Sequence, residues 1–136
     1  MNSTSQPDDP TLSLPIPDEL VLWRRIPPVW VVEETDSDGK IHLRPSSQSF
    51  TDSKDGSPMS VYDSQSCGGL DRVTDGHADF GVVSITVGQL KACGLAVQRT
   101  AVGGPGHCEA QGKKTQSIKR SLAKYAVWVI KPTTQG

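Results

Sequence analysis

The chain has 136 residues, which fits one domain, and its hydrophobic content of 35% indicates one modest core. Its net charge of −1 hides opposite halves, because residues 1–80 carry fourteen acidic and six basic side chains and residues 81–136 carry one and eight. No apolar window reaches the roughly 18 residues of a membrane span, and no basic, apolar secretory signal begins the chain, so we expect no membrane contact.

The N-terminal half predicts a tail, a turn and a hairpin. Residues 1–17 contain four prolines among Ser, Thr and Asp, which predicts a disordered or loosely docked tail before a single domain over 18–136. Asp18 is positioned to cap a short turn that ends at Pro27 and Pro28. The β-branched segment VWVVEE and the segment KIHLR flank Asp38-Gly39, so residues 29–44 predict a hairpin.

Long polar loops follow the hairpin. Residues 45–58 are rich in turn formers, MSVYD at 59–63 predicts a short strand, and residues 64–79 have no clear period. A loop of this length in a small domain is typical of a functional or mobile segment.

The C-terminal half is more regular. Residues 81–86 predict a buried strand, Thr86 is positioned to cap a short helix over 87–93, and Gly94 is positioned to end it. LAVQRT predicts a second strand, and the connection is too short for a parallel crossover, so the two strands need not be neighbours.

The last predicted elements are a short strand and a long helix. HCEAQG predicts the strand, and Ile118, Leu122, Ala126 and Val129 recur at helical spacing, which predicts an amphipathic helix over 115–131. The fold class that we predict is therefore α+β, with a small mixed, mostly antiparallel sheet packed on the C-terminal helix. The predicted core consists of Trp23, Trp30, Val31, Ile41, Leu43, Phe80, Val82, Ile85, Leu90, Leu95, Val97, Ile118, Leu122, Ala126 and Val129.

Residues 103–120, GGPGHCEAQGKKTQSIKR, resemble a phosphate-binding loop only superficially. Five residues separate Gly106 from Gly112 where the P-loop pattern has four, and Lys114 displaces the hydroxyl of Thr115. The basic residues at the start of the predicted helix nevertheless favour contact with an anion or an acidic partner. The candidate residues are Lys113, Lys114, Thr115, Lys119, Arg120 and Lys124, and the alternative is an exposed face of solvated lysines.

A second candidate site follows the hairpin. Arg44 with Ser46 and Ser47 offers a guanidinium fork and two hydroxyls, which suit a carboxylate or a phosphate. The alternative is a turn in which the serines bond to nearby backbone.

The arrangement of Arg25, Arg44, Ser46, Ser47 and Tyr62 resembles that of small toxins of the ADP-ribosyltransferase-like and RES types. The resemblance covers roughly residues 22–63. It implies a small enzyme that acts on a nucleotide such as NAD and that uses Arg25, Arg44 and Ser46 or Ser47. The late catalytic acid of these families has no clear counterpart, because Glu109 is the one acidic residue of the C-terminal half.

Metal and thiol chemistry have little support in the sequence. The cysteines are odd in number and form no C-x-x-C pair, and no H-x-x-x-H occurs, so we expect no disulfide framework, no metal and no cofactor. Free thiols favour a reducing, cytoplasmic location. Nothing marks any side chain as catalytic.

We therefore expect a non-enzymatic cytoplasmic accessory protein. Its protein partner would meet the loops of residues 45–79 and the basic C-terminal face, either through an acidic surface or through self-association of the oppositely charged halves. Two alternatives stay open: the nucleotide-acting enzyme above, and a module that contacts the nucleic-acid backbone. The acidic N-terminal half disfavours the latter because it repels a polyanion.

Overall fold

A computed structural model describes residues 10–132. Within them the chain forms eight strands and three α-helices. The strands are β1 (Val21–Ile26), β2 (Val31–Thr35), β3 (Ile41–Pro45), β4 (Met59–Asp63), β5 (Gly81–Thr86), β6 (Ala96–Arg99), β7 (His107–Gln111) and β8 (Val127–Ile130), and the helices are α1 (Leu70–Val73), α2 (Val87–Ala92) and α3 (Gln116–Tyr125).

The strands form two separate sheets. Six of them lie in the order β6-β7-β4-β1-β5-β8, and all neighbouring pairs in this sheet are antiparallel. The other two, β2 and β3, form the predicted hairpin, in which Thr35 pairs with Ile41. The α+β class and the mostly antiparallel sheet are therefore confirmed.

Strand β1 corrects the prediction of a short turn before Pro27. The segment VLWRRI is the strand between β4 and β5, and its side chains alternate between half-buried and buried. The alternation was hard to recognise because Arg24, a charged residue, occupies one of the buried positions. Its guanidinium donates to the backbone oxygens of Ser49 at 2.7 Å, Ser60 at 2.7 Å and Thr51 at 3.3 Å. Burial, reinforced by Arg25, lowers the pKa of Arg24 to about 10.

The C-terminal helix is shorter than predicted. It begins after Thr115, whose hydroxyl accepts from the backbone N–H of Ile118 at 3.2 Å, and it ends at Tyr125. Ala126 is already extended, and the β-branched and aromatic segment VWVI forms strand β8 on the edge of the sheet. The prediction of a helix to residue 131 was wrong because its apolar spacing continues by chance into this strand.

The segment around α2 agrees with the sequence in detail. Thr86 and Gln89 form a reciprocal capping box at its start, and Gly94 follows the helix with a φ of +82°. Strands β5 and β6, which α2 connects, lie in different parts of the sheet, as the short connection suggested.

The sheet separates a large apolar cluster from a small one. Side chains alternate across a strand, so Leu22 and Ile26 point to one side and Trp23 to the other. The first side, which we call the helix side, holds the main core with Leu90 and Leu122. On the opposite side, Cys67, Val82 and Val73 of α1 form a second cluster.

The predicted core was partly right. Val82, Ile85, Leu90, Leu95 and Leu122 are buried. By contrast, Ile41 and Val129 are 63% and 39% exposed. Buried residues that the sequence did not indicate include Leu20, Leu22, Ile26, Phe50, Met59, Val61, Val83, Val87, Cys108 and Ala110.

The described part of the N-terminal segment lies against the sheet. Arg99 donates to the backbone oxygens of Leu14 and Pro15, both at 3.1 Å, and pairs with the buried carboxylate of Asp63 at 2.8 Å. Burial raises the pKa of Asp63, but hydrogen bonds from Gln65, Ser66 and Arg99 outweigh it and leave the pKa below its usual value. Of the tail predicted over residues 1–17, residues 1–9 lie outside the described part.

Candidate functional site

A cleft of about 670 Å³ opens on the helix side, between the β2–β3 hairpin and α3. Its volume lies within the roughly 300–1,000 Å³ typical of ligand pockets. The lining residues are Glu34, Leu43, Arg44, Pro45, Ser46, Ser47, Arg120, Ala123, Lys124, Ala126 and Trp128. The cleft therefore contains five of the nine residues that the sequence indicated as anion- or partner-binding.

Three cationic side chains line this cleft, and they come from two distant parts of the chain. Arg44 projects from β3, while Arg120 and Lys124 lie one turn apart on α3. The one acidic lining residue is Glu34, whose carboxylate accepts from Arg44 Nε at 3.0 Å. Both members of that pair are well exposed, at 46% for Arg44 and 62% for Glu34, so solvent screens the pair and a competing carboxylate can replace it.

The other lining groups are largely apolar and held in place. Ala123 in α3 and Ala126 just after it line one wall of the cleft, and Leu43 and Pro45 of β3 line the other. Trp128 joins the two walls, because its indole N–H donates to the backbone oxygen of Leu43 at 2.8 Å. The cleft thus combines fixed apolar surface with three basic groups.

Hydrogen bonds connect the turn after β3 to Trp30, which precedes β2, and to the start of α3. The backbone N–H of Ser46 donates to the Trp30 oxygen at 2.8 Å, and Gln116 at the start of α3 donates to the Ser47 hydroxyl at 3.0 Å. The Ser47 hydroxyl therefore bonds to a distant helix rather than to the backbone of its own turn. Ser46 lines the same cleft as Arg44.

The remaining four candidates lie outside the cleft lining. The Lys114 side chain is 3% exposed, and its ammonium group contacts Asp52 at 2.6 Å and the Ala110 oxygen at 2.5 Å, so this charge is neutralised within the chain. The Thr115 hydroxyl caps α3. Lys113 is exposed and Lys119 is half-buried. For Lys114, the expected negative group is therefore Asp52, an acidic residue from the N-terminal half of the same chain.

The residues that resemble the toxin families are divided between two places. Arg44, Ser46 and Ser47 line the cleft, whereas Arg25 and Tyr62 line a separate pocket on the opposite side of the sheet. The guanidinium of Arg25 lies 5.4 Å from the Tyr62 ring centroid. The structure therefore does not bring the five residues into one site.

Sequence reasoning missed a polar network on that opposite side. The Thr100 hydroxyl donates to the Val102 oxygen at 2.8 Å, so it accepts from Nδ1–H of His107. Nε2 then carries the lone pair and accepts from the Ser60 hydroxyl at 3.0 Å. Burial is the main factor that lowers the pKa of His107, with Glu109 opposing it, which keeps the ring neutral near pH 7.

No local pattern could have indicated this network. Ser60 and His107 are 47 residues apart and meet because β4 pairs with β7.

The structure of residues 10–132 supports neither thiol chemistry nor a metal site. Burial raises the pKa values of Cys67, Cys93 and Cys108, so these free cysteines are protonated thiols near neutral pH. No group of three or more potential ligands among the described residues could hold a metal ion. No helix in this part of the chain is long and apolar enough to cross a membrane.

Comparison of the chain with protein-family models, with curated proteins and with solved structures found no match.

Proposed function

We propose that the chain is a cytoplasmic binding protein whose cleft takes an acidic segment of a protein partner. The observation that carries the proposal is the convergence of Arg44, Arg120 and Lys124 beside apolar surface. A segment with carboxylates and an apolar side chain would satisfy both features, since guanidinium groups form strong charge-assisted hydrogen bonds with carboxylates.

The charges around the cleft favour discrete carboxylates over a nucleic-acid backbone. Glu33, Glu34, Asp36 and Asp38 all lie on the hairpin that forms one wall. A short acidic segment can be placed on Arg120 and Lys124 at a distance from these acids, whereas a continuous polyanion would pass them.

The test compares two charge-reversed proteins. The double variant Arg120→Glu/Lys124→Glu changes two exposed cleft residues, and Lys54→Glu/Lys131→Glu makes the same change in net charge at exposed positions outside the cleft. Affinity purification from the host identifies partners that the unmodified chain retains. Their acidic segments are then synthesised as labelled peptides and titrated by fluorescence anisotropy.

We expect the cleft variant to weaken peptide binding by about tenfold or more, because each lost charge-assisted hydrogen bond is worth roughly 1.5–3 kcal/mol. The control variant should bind like the unmodified chain. Equal binding by both variants, or equal loss in both, would contradict the proposal.

Two further outcomes separate the alternatives. Retention of nucleic acid in a band-shift assay at low salt, without any peptide binding, would favour contact with a nucleic-acid backbone. Recovery of the chain itself, in oligomers that dissociate as salt rises in a sedimentation run, would favour self-association.

A further inference from the structure

A small pocket lies on the side of the sheet opposite the cleft. Arg25 and Tyr62 project into it from β1 and β4, Arg72 and Val73 come from α1, and Gly103 and Pro105 come from the loop before β7. Its volume is about 100 Å³. This is well below the roughly 300–1,000 Å³ of a pocket that encloses a whole ligand, so it suits one terminal group of a molecule.

The guanidinium of Arg25 is held in a fixed position at this pocket. Its Nη1 donates to the backbone oxygen of Val73 at 3.1 Å, and the group lies 5.4 Å from the centroid of the Tyr62 ring. Arg25 is half-buried, and one carbonyl uses only part of its five N–H donors. The remaining donors are positioned without needing to reorganise when a ligand binds.

Arg72 is the second cationic group of the pocket. Its aliphatic chain lies over Gly68, where an added Cβ would be 2.9 Å from Arg72 Cγ. The ion pairs found among residues 10–132 involve neither Arg25 nor Arg72. Asp71 and Asp75 flank Arg72 in sequence, yet neither reaches it within salt-bridge distance. The two arginines that line this small pocket both belong to the acid-rich half of the chain, yet neither forms an ion pair with a carboxylate of the described residues.

The walls of the pocket are supported by the His107 network. The Tyr62 ring meets the His107 ring edge-on, with centroids 5.4 Å apart, and Thr100 and Ser60 hold that ring from both nitrogens. Gly103 rests directly on His107, since a Cβ at this position would be 2.5 Å from its Cγ. The loop can approach the ring so closely only because residue 103 is a glycine.

The donor set indicates the class of ligand. Arg25, Arg72 and Tyr62, which line the pocket, offer N–H and O–H donors and no negative charge. A phosphate monoester offers three terminal oxygens and close to two negative charges, which matches two arginines better than a carboxylate does. We propose that the Arg25–Arg72–Tyr62 pocket binds the terminal phosphate group of a small phosphomonoester. The proposal does not depend on the function proposed for the cleft.

The test is an NMR titration of the full ¹⁵N-labelled chain with inorganic phosphate and with phenyl phosphate. Sodium chloride keeps ionic strength constant, and benzoate serves as the carboxylate comparison. We expect saturable shifts of the amide signals of Arg72, Val73 and Gly103 with both phosphates, and weaker ones with benzoate. Response to inorganic phosphate alone would overturn the monoester assignment, and benzoate binding as tightly as phenyl phosphate would overturn the phosphate assignment.

Variants decide whether the pocket is responsible. Arg72→Ala removes an exposed side chain and should weaken phenyl phosphate binding about tenfold or more. Arg120→Ala is the matched control, because it removes an exposed arginine from the cleft on the other side of the sheet. Unchanged affinity in Arg72→Ala, equal losses in both variants, or non-saturable shifts spread over the basic surface would each overturn the proposal. None of these results would alter the peptide binding expected of the cleft.

Discussion

Adjacent arginines on β1 have entirely different surroundings. Arg24 points into the core and Arg25 points to the opposite side of the sheet, because neighbouring side chains of a strand alternate. The carbonyl groups that accept from Arg24 lie 25 to 36 residues further along the chain. A sequence shows the pair but not these acceptors, which is why it could not indicate which arginine is structural and which is available to a ligand.

Ion pairs in this chain also differ in what they contribute. Arg99 and Asp63 are 5% and 2% exposed, whereas Lys91 and Asp18 are 55% and 68% exposed. Loss of Arg99 leaves a buried carboxylate without its cation, and it also frees the backbone oxygens of Leu14 and Pro15. An exposed pair is screened by water and contributes little.

We therefore expect Arg99→Ala to lower the free energy of unfolding by about 3–5 kcal/mol. Lys91→Ala, which removes an exposed ion pair, should lower it by no more than about 1 kcal/mol. Urea denaturation followed by circular dichroism measures both changes. Similar losses in the two variants would show that burial does not set the strength of the Arg99–Asp63 pair.

Among the helices, the sequence predicted the capping residues of α2 correctly, but it did not predict the length of α3. Thr86, Gln89 and Gly94 determine the ends of α2 through contacts within a few residues, so the local sequence reveals them. The end of α3 depends instead on the pairing of Val127 and Trp128 with β5, which is a tertiary contact. Helical spacing of apolar residues cannot distinguish these two cases.

The N-terminal cap of α3 gives a test at this scale. Thr115→Ala removes the hydroxyl that accepts from Ile118, and we expect a loss of about 1 kcal/mol in unfolding free energy. Ser117→Ala, at an exposed position inside the same helix, should be neutral or slightly stabilising because alanine has the higher helix propensity. Thermal or urea unfolding of the two variants checks this, and equal stabilities would contradict the role of the cap.

Across the whole molecule, the two oppositely charged halves are interleaved. Strands β1 and β4 belong to the acidic half, yet β1 pairs with β5 and β4 pairs with β7 from the basic half. The ion pair between Lys114 and Asp52 crosses the same division. Part of the charge difference between the two halves is therefore neutralised by contacts within one domain.

Neither half should fold alone. We expect residues 1–80 and residues 81–136, expressed separately, to give the narrow amide dispersion of unfolded chains in ¹H–¹⁵N spectra. Each half keeps only isolated strand pairs, because the β1–β5 and β4–β7 pairings that join the six-stranded sheet are lost. The full chain should give a dispersed spectrum. A dispersed spectrum from either fragment would show that its strands are stable without their partners.

The cleft shows the same limit on sequence reasoning. Arg44, Ser46 and Ser47 were indicated as one site and Arg120 and Lys124 as part of another, each from local chemistry. Their convergence depends on the packing of the hairpin against α3, including the Gln116–Ser47 and Trp128–Leu43 hydrogen bonds. The folded structure shows that residues of both predicted sites line the same cleft.

The strand order also bears on the time course of folding. Strand β1 pairs with β4 and β5, which end at residues 63 and 86, and β4 in turn pairs with β7. Pairing between residues so far apart in sequence is slow, because a long loop must close before any contact forms. During refolding, the apolar side of β1 therefore stays exposed until these distant strands pair with it, which favours aggregation at high protein concentration.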